Sequence, residues 1–281
     1  MTLSIKMWSQ VDPAKLEALF QSNPFPLYRG TPLGNPSMKT YMYGLARENA
    51  EKNDEQALVA LVDDEARFTA QLYQIPYLSD FWGMSIGGIG HMVTDKPVDE
   101  ETHDAAVAVI SRLLTGARSQ GMRFLSTSVP GPAIPVIRAL ERSGFLYAEG
   151  FINMVGPTHG FRETFTVPDL KIREITEADF AHIDEAYSQV NFPSRFVTDG
   201  GFDPKKAHKL YGRRFREVHE KGLGKIFVAD YRDEFAGALI AIIDEKLAEA
   251  TGIRTNILSG MGIIIHPRAA RRGVSLSLIH I

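Results

Sequence analysis

Residues 262–274, Gly-Ile-Ile-Ile-His-Pro-Arg-Ala-Ala-Arg-Arg-Gly-Val, decide how the chain folds. The isoleucines predict a buried strand, and the arginine-rich loop after them, closed by Gly273, predicts an anion site. Backbone N–H groups at residues 271–275 would face the anion from the start of a helix, and a glycine allows it to approach closely. The alternative is a solvated basic turn, which is what most short arginine runs are.

The residues before this stretch predict one strand, two helices and then three strands. The predicted elements are a strand at 170–175, helices at 176–190 and 203–222, and strands at 224–230, 234–244 and 257–267. Thr176 and Asp179 are spaced as a capping box, and Asp203 precedes a proline at a helix start. The second half of the chain therefore predicts an α/β unit that ends in the apolar strand and the basic loop.

The first half predicts another α/β unit, with an antiparallel front and a crossover at the back. A short helix begins at Asp12-Pro13. The further predicted elements are two strands around an Asp-Asp turn at 56–75, strands at 84–93, 122–129 and 145–155, and helices at 105–121 and 132–144. The irregular stretch at 156–168 predicts a linker, which gives domains at 1–155 and 169–275.

Composition narrows the classes of protein that fit the chain. It has 281 residues, 44% of them hydrophobic and 23% charged, with a net charge of −3 and no cysteine. This excludes a disulfide scaffold, a cysteine-ligated zinc site and a protein that binds nucleic acid through bulk positive charge. We find no signal peptide, no membrane span and no metal-ligand spacing, so we expect a cytoplasmic protein without a metal.

The order of elements and the stretch from Met261 to Val274 resemble the GNAT superfamily of N-acetyltransferases over residues 169–275. The resemblance implies that acetyl-CoA is the cofactor, with pantetheine along the strand and the diphosphate in the loop. The implied cofactor-binding residues are Ile263, Ile264, Ile265, Arg271, Arg272, Gly273, Val274 and Ser275. In the family pattern R/Q-x-x-G-x-G/A, Ala270 departs from the first position and Ser275 takes the last.

The resemblance also implies a fold class, α/β (α+β), with two GNAT-like halves. Each half is expected to be a mixed, mostly antiparallel sheet flanked by helices. In the first half, the loop at 94–106 is acidic, which disfavours a diphosphate. We therefore expect the first half to be a degenerate copy that binds no CoA.

Two shorter runs resemble dTDP-fucosamine acetyltransferases. Residues 76–83 are similar to the W-D-S-x-F-F-G run of those enzymes, and residues 192–196 with Asp199 and Leu210-Tyr211 are similar to their S-R-F run. The resemblance implies a nucleotide-linked amino sugar as acceptor, with Arg195 and Phe196 binding the substrate. A surface arginine that caps a helix is the alternative for Arg195. Phe81 and Trp82 are either stacking residues or core residues.

The end of the chain, Leu-Ser-Leu-Ile-His-Ile at 276–281, matches the translation of a sequencing-adapter sequence. We expect these six residues to be a non-native scar, the second half to be incomplete and the truncated chain to be inactive. The family's general acid, a tyrosine beyond residue 275, has no counterpart here. The catalytic residues are therefore unassigned.

Acetyl transfer to an amine needs an oxyanion donor and a base. Backbone amides near Ile264 are the expected donors. His266, Asp244 and Glu245 are candidate bases, although a histidine at a strand end is more often structural, and an acidic pair more often lies in a solvated turn. The sequence thus predicts an N-acetyltransferase that acts on a primary amine of a small molecule. The rivals are a GNAT enzyme with an unrelated amine substrate, such as a peptide terminus or an antibiotic, and a non-catalytic CoA-binding or structural module. The oligomeric state is not predicted.

Overall fold

The chain folds into two compact units, each of them a sheet flanked by helices. The computed structural model describes residues 2–29, 31, 34, 36–97, 99–150, 167–190, 194–242, 245–253 and 262–279. The first unit comprises Met1–Tyr147 and Ala250–Ile253, and the second Ala148–Glu249 and Arg254–Ile281. The predicted α/β class with mostly antiparallel sheets is confirmed.

Among its described residues, the first unit contains five strands and five helices. The strands are β1 (Leu3–Met7), β2 (Ala57–Val62), β3 (Glu65–Gln74), β4 (Ile86–Thr94) and β5 (Phe124–Ser126). The helices are α1 (Pro13–Ser22), α2 (Pro36–Lys52), α3 (Pro76–Trp82), α4 (Glu100–Ser119) and α5 (Ile134–Arg142). Neighbouring strands from β1 to β4 are antiparallel, and α4 is the crossover to β5, which runs parallel to β4. The predicted antiparallel front and crossover are thus confirmed.

Local signals in the sequence explain most boundaries in the first unit. Asp63 and Asp64 both have positive φ angles, 47° and 68°, as a tight hairpin turn requires. The Asp12 carboxylate accepts a hydrogen bond from the N–H of Ala14 at 2.9 Å and so caps α1. Gly121 and Gly144 adopt left-handed conformations just beyond α4 and α5.

Several regions of the first unit differ from the sequence-based expectation. Helix α2, of 17 residues, lies where the sequence assigned no element, and so do strand β1 and helix α3. The final strand predicted at 145–155 is wrong at 145–150, which form no strand, and 151–155 lie outside the described residues. The predicted linker at 156–168 also lies mostly outside them.

The second unit contains four strands and five helices among its described residues. The strands are β6 (Leu170–Glu174), β7 (Lys225–Tyr231), β8 (Glu234–Ala241) and β9 (Gly262–Ile265). The helices are α6 (Asp179–Gln189), α7 (Arg195–Thr198), α8 (Pro204–Glu220), α9 (Glu245–Thr251) and α10 (Val274–Ile279). The last two residues of α9 belong to the first unit. The sheet is antiparallel in the order β6-β7-β8-β9. No described helix in either unit is long and apolar enough to span a membrane.

The sheet of the second unit is covered on both faces. One face packs with α6 and α8 in a cluster that includes Ile183, Phe215 and Ile264. The other face packs against α10, whose Val274 and Leu278 are both 1% exposed. Residues 274–279 therefore contribute to the core, while the prediction that 276–281 are non-native stays a prediction.

An ion-pair network fixes β6 against the start of α6. Arg173 contacts Asp179 at 2.7 Å and Asp230 at 2.6 Å. Asp179 also accepts hydrogen bonds from the N–H and the hydroxyl of Thr176, each at 2.7 Å. The capping box predicted at Thr176 is thus half formed. The Asp179 carboxylate accepts from the Thr176 N–H, as in a capping box, but the threonine hydroxyl donates to the same carboxylate instead of accepting from the Asp179 N–H. These hydrogen bonds and Arg173 lower the pKa of Asp179 to about 2, despite its burial.

We expect Asp179→Asn to lower the free energy of unfolding of the second unit at neutral pH by about 2 kcal/mol. Because the native pKa of about 2 lies below the unfolded value of 3.8, this stabilisation is present above the unfolded pKa and is lost as the pH falls toward 2. Between neutral pH and acid, the free energy of unfolding should therefore fall by about 2 kcal/mol more in wild type than in Asp179→Asn.

The measurement is urea unfolding across the acid range, followed by circular dichroism or hydrogen exchange. Tryptophan fluorescence does not follow this unit, because the chain's two tryptophans are Trp8 and Trp82 in the first unit. Glu220→Gln, an exposed position on α8, is the control and should behave as wild type. Equal acid sensitivity of Asp179→Asn and wild type would contradict the role of the network.

Candidate functional site

Strand β9 forms one edge of its sheet in the described part of the chain. It pairs only with β8, through the register Gly237↔Ile265, Ala238↔Ile264, Leu239↔Ile263 and Ile240↔Gly262. The N–H of His266, directly after the strand, donates to the carbonyl of Ala236 at 2.9 Å. The opposite edge of β9 therefore presents backbone groups that β8 does not use.

The direction of each amide along β9 follows from this register. N–H groups of successive residues in an antiparallel strand point to opposite sides, so the N–H of Ile264, like that of His266, points to β8. The N–H groups of Ile263 and Ile265 point to the open edge. Of the amides near Ile264 that the sequence predicts as oxyanion donors, only those of its two neighbours face the open edge. The Ile264 side chain is buried and anchors the strand in the core.

A glycine on β8 allows β9 to approach closely. A β-carbon at Gly237 would lie 2.6 Å from the carbonyl oxygen of Ile264 and 2.8 Å from the side chain of Ile265. Real β-carbons do not tolerate contacts this short, so any side chain at this position would push β9 away from β8. Gly237 thus sets the position of the open edge.

The loop after β9 is compact. Residues Pro267–Ala269 form one 3-10 turn, at whose start the His266 ring nitrogen Nδ1 accepts a hydrogen bond from the N–H of Arg268 at 3.3 Å. Arg271 and Gly273 both adopt left-handed conformations, with φ angles of 63° and 75°. Left-handed residues in such turns orient neighbouring N–H groups into a concavity that suits an anion. The buried Val274 then holds the end of the loop against the sheet.

The two adjacent arginines of this loop differ in their surroundings. The Arg272 guanidinium lies over the Tyr231 ring, 5.2 Å from its centroid. Arg271 is exposed, and no ion pair or ring contact involves it among the described residues. Ser275, the last predicted cofactor-binding residue, is half-buried in the first turn of α10. Arg271 is therefore an arginine of this loop for which no described residue supplies a partner.

The predicted substrate residues Arg195 and Phe196 lie in the short helix α7. The Arg195 guanidinium forms an ion pair with Glu149, whose carboxylate also accepts from the Arg195 N–H at 3.2 Å. Arg195 stacks on the Phe196 ring at 4.8 Å, and Phe196 meets Phe202 edge to face at 5.2 Å. The Arg195 guanidinium that the sequence assigns to a substrate phosphate is therefore already paired with Glu149.

The candidate bases have different environments. His266 is 4% exposed, and its Nε2 lies 3.8 Å from a carboxylate oxygen of Glu185 on α6. Within the described residues this Nε2 makes no hydrogen bond. Glu245 is exposed at the first position of α9, and Asp244 lies outside the described residues. The structure thus places His266 beside Glu185 of α6.

In the first unit, the corresponding loop precedes α4, and its own carboxylates lie at the start of that helix. Asp99 caps α4 by accepting from the N–H of Glu101 at 3.0 Å, and its other oxygen contacts Lys96 at 2.7 Å. Asp95 forms an ion pair with Arg67. An anion at this helix start would meet a capping carboxylate and two further acidic residues in the first turn.

The remaining candidates from the sequence are the aromatic pair Phe81 and Trp82, and the sequence predicts no metal site. Phe81 and Trp82, predicted either to stack or to fill the core, are half-buried and pack edge to face at 5.1 Å. No group of three or more histidine, aspartate or glutamate residues in the described ranges could hold a metal ion. Glu149 and Tyr231 were not singled out from the sequence, because their arginine partners lie far away along the chain.

Comparison with known proteins gives distant structural likenesses only. No family model matches the chain, and no curated protein is similar to it. Similar solved structures include a transcriptional regulator from Bacillus halodurans C-125, with 16% identity, a TM-score of 0.40 and coverage of 55% of this chain and 100% of that one. A Trypanosoma brucei acetyltransferase has 17% identity, a TM-score of 0.34 and coverage of 55% and 99%. Glucosamine-6-phosphate N-acetyltransferase from Arabidopsis thaliana has 12% identity, a TM-score of 0.33 and coverage of 56% and 99%. Likenesses at these values do not identify a chemistry for this chain.

We expect Gly237→Ala to destabilise the second unit by about 2 to 3 kcal/mol, because its β-carbon would separate β9 from β8. Hydrogen exchange at the Ile264 and His266 amides, which point to β8, should become faster. Gly116→Ala is the matched control, since nothing lies within 4 Å of the added carbon in α4. That change should be neutral or stabilising by up to about 1 kcal/mol. Unchanged exchange in Gly237→Ala would show that the close approach does not matter.

Proposed function

We propose that this chain is an acetyl-CoA-dependent N-acetyltransferase of the GNAT superfamily, which transfers an acetyl group to a primary amine of a small molecule. One observation carries the proposal. The open edge of β9 presents the N–H groups of Ile263 and Ile265 and leads directly into a compact basic loop. An extended ligand with amide groups at one end and a diphosphate at the other fits such a sequence of donors.

The proposed cofactor contacts are of two kinds. Pantetheine amides pair with β9 at Ile263 to Ile265, in the manner of an added strand. The diphosphate accepts hydrogen bonds from backbone N–H groups between Arg271 and Ser275, where Gly273 leaves room for it. Arg271 adds positive charge that no described carboxylate neutralises. Ala270, which departs from the family pattern, removes one side-chain contact but none of these backbone donors.

Acetyl-CoA, when bound, supplies an activated acetyl group and a thiolate leaving group. The open-edge N–H of Ile263 or Ile265 donates to the acetyl oxygen as negative charge develops on it. The protein holds the edge rigid through Ile264 and Gly237, so these donors need no rearrangement during the reaction. The attacking amine must give up a proton, and the thiolate must gain one. No residue is assigned to those proton transfers.

His266 is the buried candidate for proton transfer. Its Nδ1 accepts from the Arg268 N–H, so a neutral ring carries its proton on Nε2. That nitrogen faces Glu185 under α6, whereas the proposed donors lie on the open edge of β9. This geometry favours a role for His266 in holding the loop. The general acid and base stay unassigned.

We further propose a nucleotide-linked amino sugar as the acceptor, on the resemblance of the run that contains Arg195 and Phe196. A phosphate of such a substrate would compete with Glu149 for Arg195. The ion pair also favours the second candidate function, a CoA-binding module without catalysis, because it leaves Arg195 already neutralised. Binding and turnover therefore need separate measurements.

Arg271→Glu should weaken acetyl-CoA binding by roughly tenfold or more, since it replaces an attractive charge beside the diphosphate with a repulsive one. Isothermal titration calorimetry of the protein with acetyl-CoA measures this change. Lys209→Glu makes the same charge reversal at an exposed position of α8 and should leave the affinity unchanged. Equal affinities of wild type and Arg271→Glu would contradict the assignment of the loop.

Thiol release from acetyl-CoA then distinguishes the two candidate functions. The acceptors to compare are a nucleotide-linked amino sugar, the corresponding free amino sugar and a peptide with a free amino terminus. Thiol release that depends on the amino sugar supports both the enzymatic function and the proposed acceptor. Release with the peptide alone would support the enzymatic function but contradict the amino sugar as acceptor. Binding of acetyl-CoA without release for any amine would favour the non-catalytic module.

A further inference from the structure

A surface pocket of about 230 Å³ lies in the second unit, between the β7–β8 turn and the loop after β9. Arg232 and Glu234 line it from the turn, and Arg268 and Arg272 line it from the loop. Tyr231 completes one wall. Three arginines and a single glutamate therefore line one small volume.

The positive charge in this pocket is only partly neutralised. Arg232 lies 3.4 Å from a carboxylate oxygen of Asp169, and Arg268 lies 3.5 Å from one of Glu234. Charge-assisted hydrogen bonds are normally about 2.7 to 2.9 Å long. Arg173 in the same unit lies much closer to both of its partners, at 2.6 and 2.7 Å. The carboxylates therefore bind the guanidinium groups of Arg232 and Arg268 only weakly.

Two of these arginines share one aromatic ring. The guanidinium carbons of Arg232 and Arg272 lie 5.3 and 5.2 Å from the centroid of Tyr231. Stacking on a ring uses the face of a guanidinium and leaves its in-plane N–H groups available. Arg272 has no ion pair within the described residues. The ring therefore orients two cations whose mutual repulsion an anion would relieve.

The pocket is separate from the open edge of β9. It is lined by the β7–β8 turn, and β8 lies on the paired side of β9. A ligand along the open edge lies on the other side of that strand. Filling the pocket is therefore a different event from pairing with the amides of Ile263 and Ile265.

We propose that this pocket is a second anion site, which binds a phosphate monoester group through Arg232, Arg268 and Arg272. Phosphate matches the planar fork of N–H donors on each guanidinium and carries enough charge to neutralise the excess of positive groups. Glu234 competes with the phosphate for Arg268. The site does not depend on the proposed acetyl transfer, because none of its contacts uses the open edge of β9.

Inorganic phosphate is the probe, titrated calorimetrically into the full chain. Arg232→Asn removes one cation outside the loop, and asparagine tolerates the left-handed backbone at this position, where φ is 54°. We expect it to raise the phosphate dissociation constant roughly tenfold. Glu234→Gln removes the competing carboxylate and should lower the dissociation constant severalfold, a gain that misfolding would not produce. Lys209→Gln and Glu220→Gln are the controls on α8 and should not change it.

Two cofactor forms identify the source of the phosphate. If Arg232→Asn weakens binding of acetyl-CoA but not of 3′-dephospho-acetyl-CoA, the pocket takes the ribose phosphate of the cofactor. If Arg232→Asn weakens binding of inorganic phosphate but of neither cofactor form, the pocket binds a separate phosphorylated molecule. Both outcomes support the site. Absence of phosphate binding by wild type, or unchanged affinity in both Arg232→Asn and Glu234→Gln, would overturn it, whatever the result with Arg271→Glu.

Discussion

The close pairing of β9 with β8 on one side only is the constraint on which the second unit's site depends. Gly237 lets the two backbones approach, and the buried Ile264 side chain fixes β9 in the core. Alternation of the strand then directs the N–H groups of Ile263 and Ile265 away from β8. A single packing arrangement thereby sets which amides face the open edge, along which we propose that the cofactor binds.

The basic loop is positioned by the same sheet. Its start is held by the hydrogen bond between His266 and β8, and its end by Val274 against the opposite face. Between these points lie two arginines that are adjacent in sequence but differ in their contacts. Arg271 is exposed and has no ion pair among the described residues, whereas Arg272 lies over the ring of Tyr231 at the end of β7. One short basic run thus contributes charge to two different places.

The sequence predicts the parts of the fold that have strong local signals. Strands with continuous apolar runs and helices bounded by Asp-Pro and glycine lie where expected. Helix α2 was not predicted because its buried residues, Met38, Ala46 and Ala50, form no wide apolar stripe. At the candidate site, the sequence predicts strand β9 and the arginines of the loop, but not that the N–H of Ile264 points to β8. The pairing of Arg195 with Glu149 and the stacking of Arg272 on Tyr231 depend on tertiary contacts that no local pattern encodes.

The central claim is that acetyl-CoA lies along the open edge of β9, and residue-resolved amide hydrogen exchange tests it most directly. Saturating acetyl-CoA should slow exchange at Ile263 and Ile265, whose N–H groups face the ligand. Exchange at Ile264, already bonded to β8, should change much less. Binding of acetyl-CoA with no added protection at Ile263 and Ile265 would contradict the account.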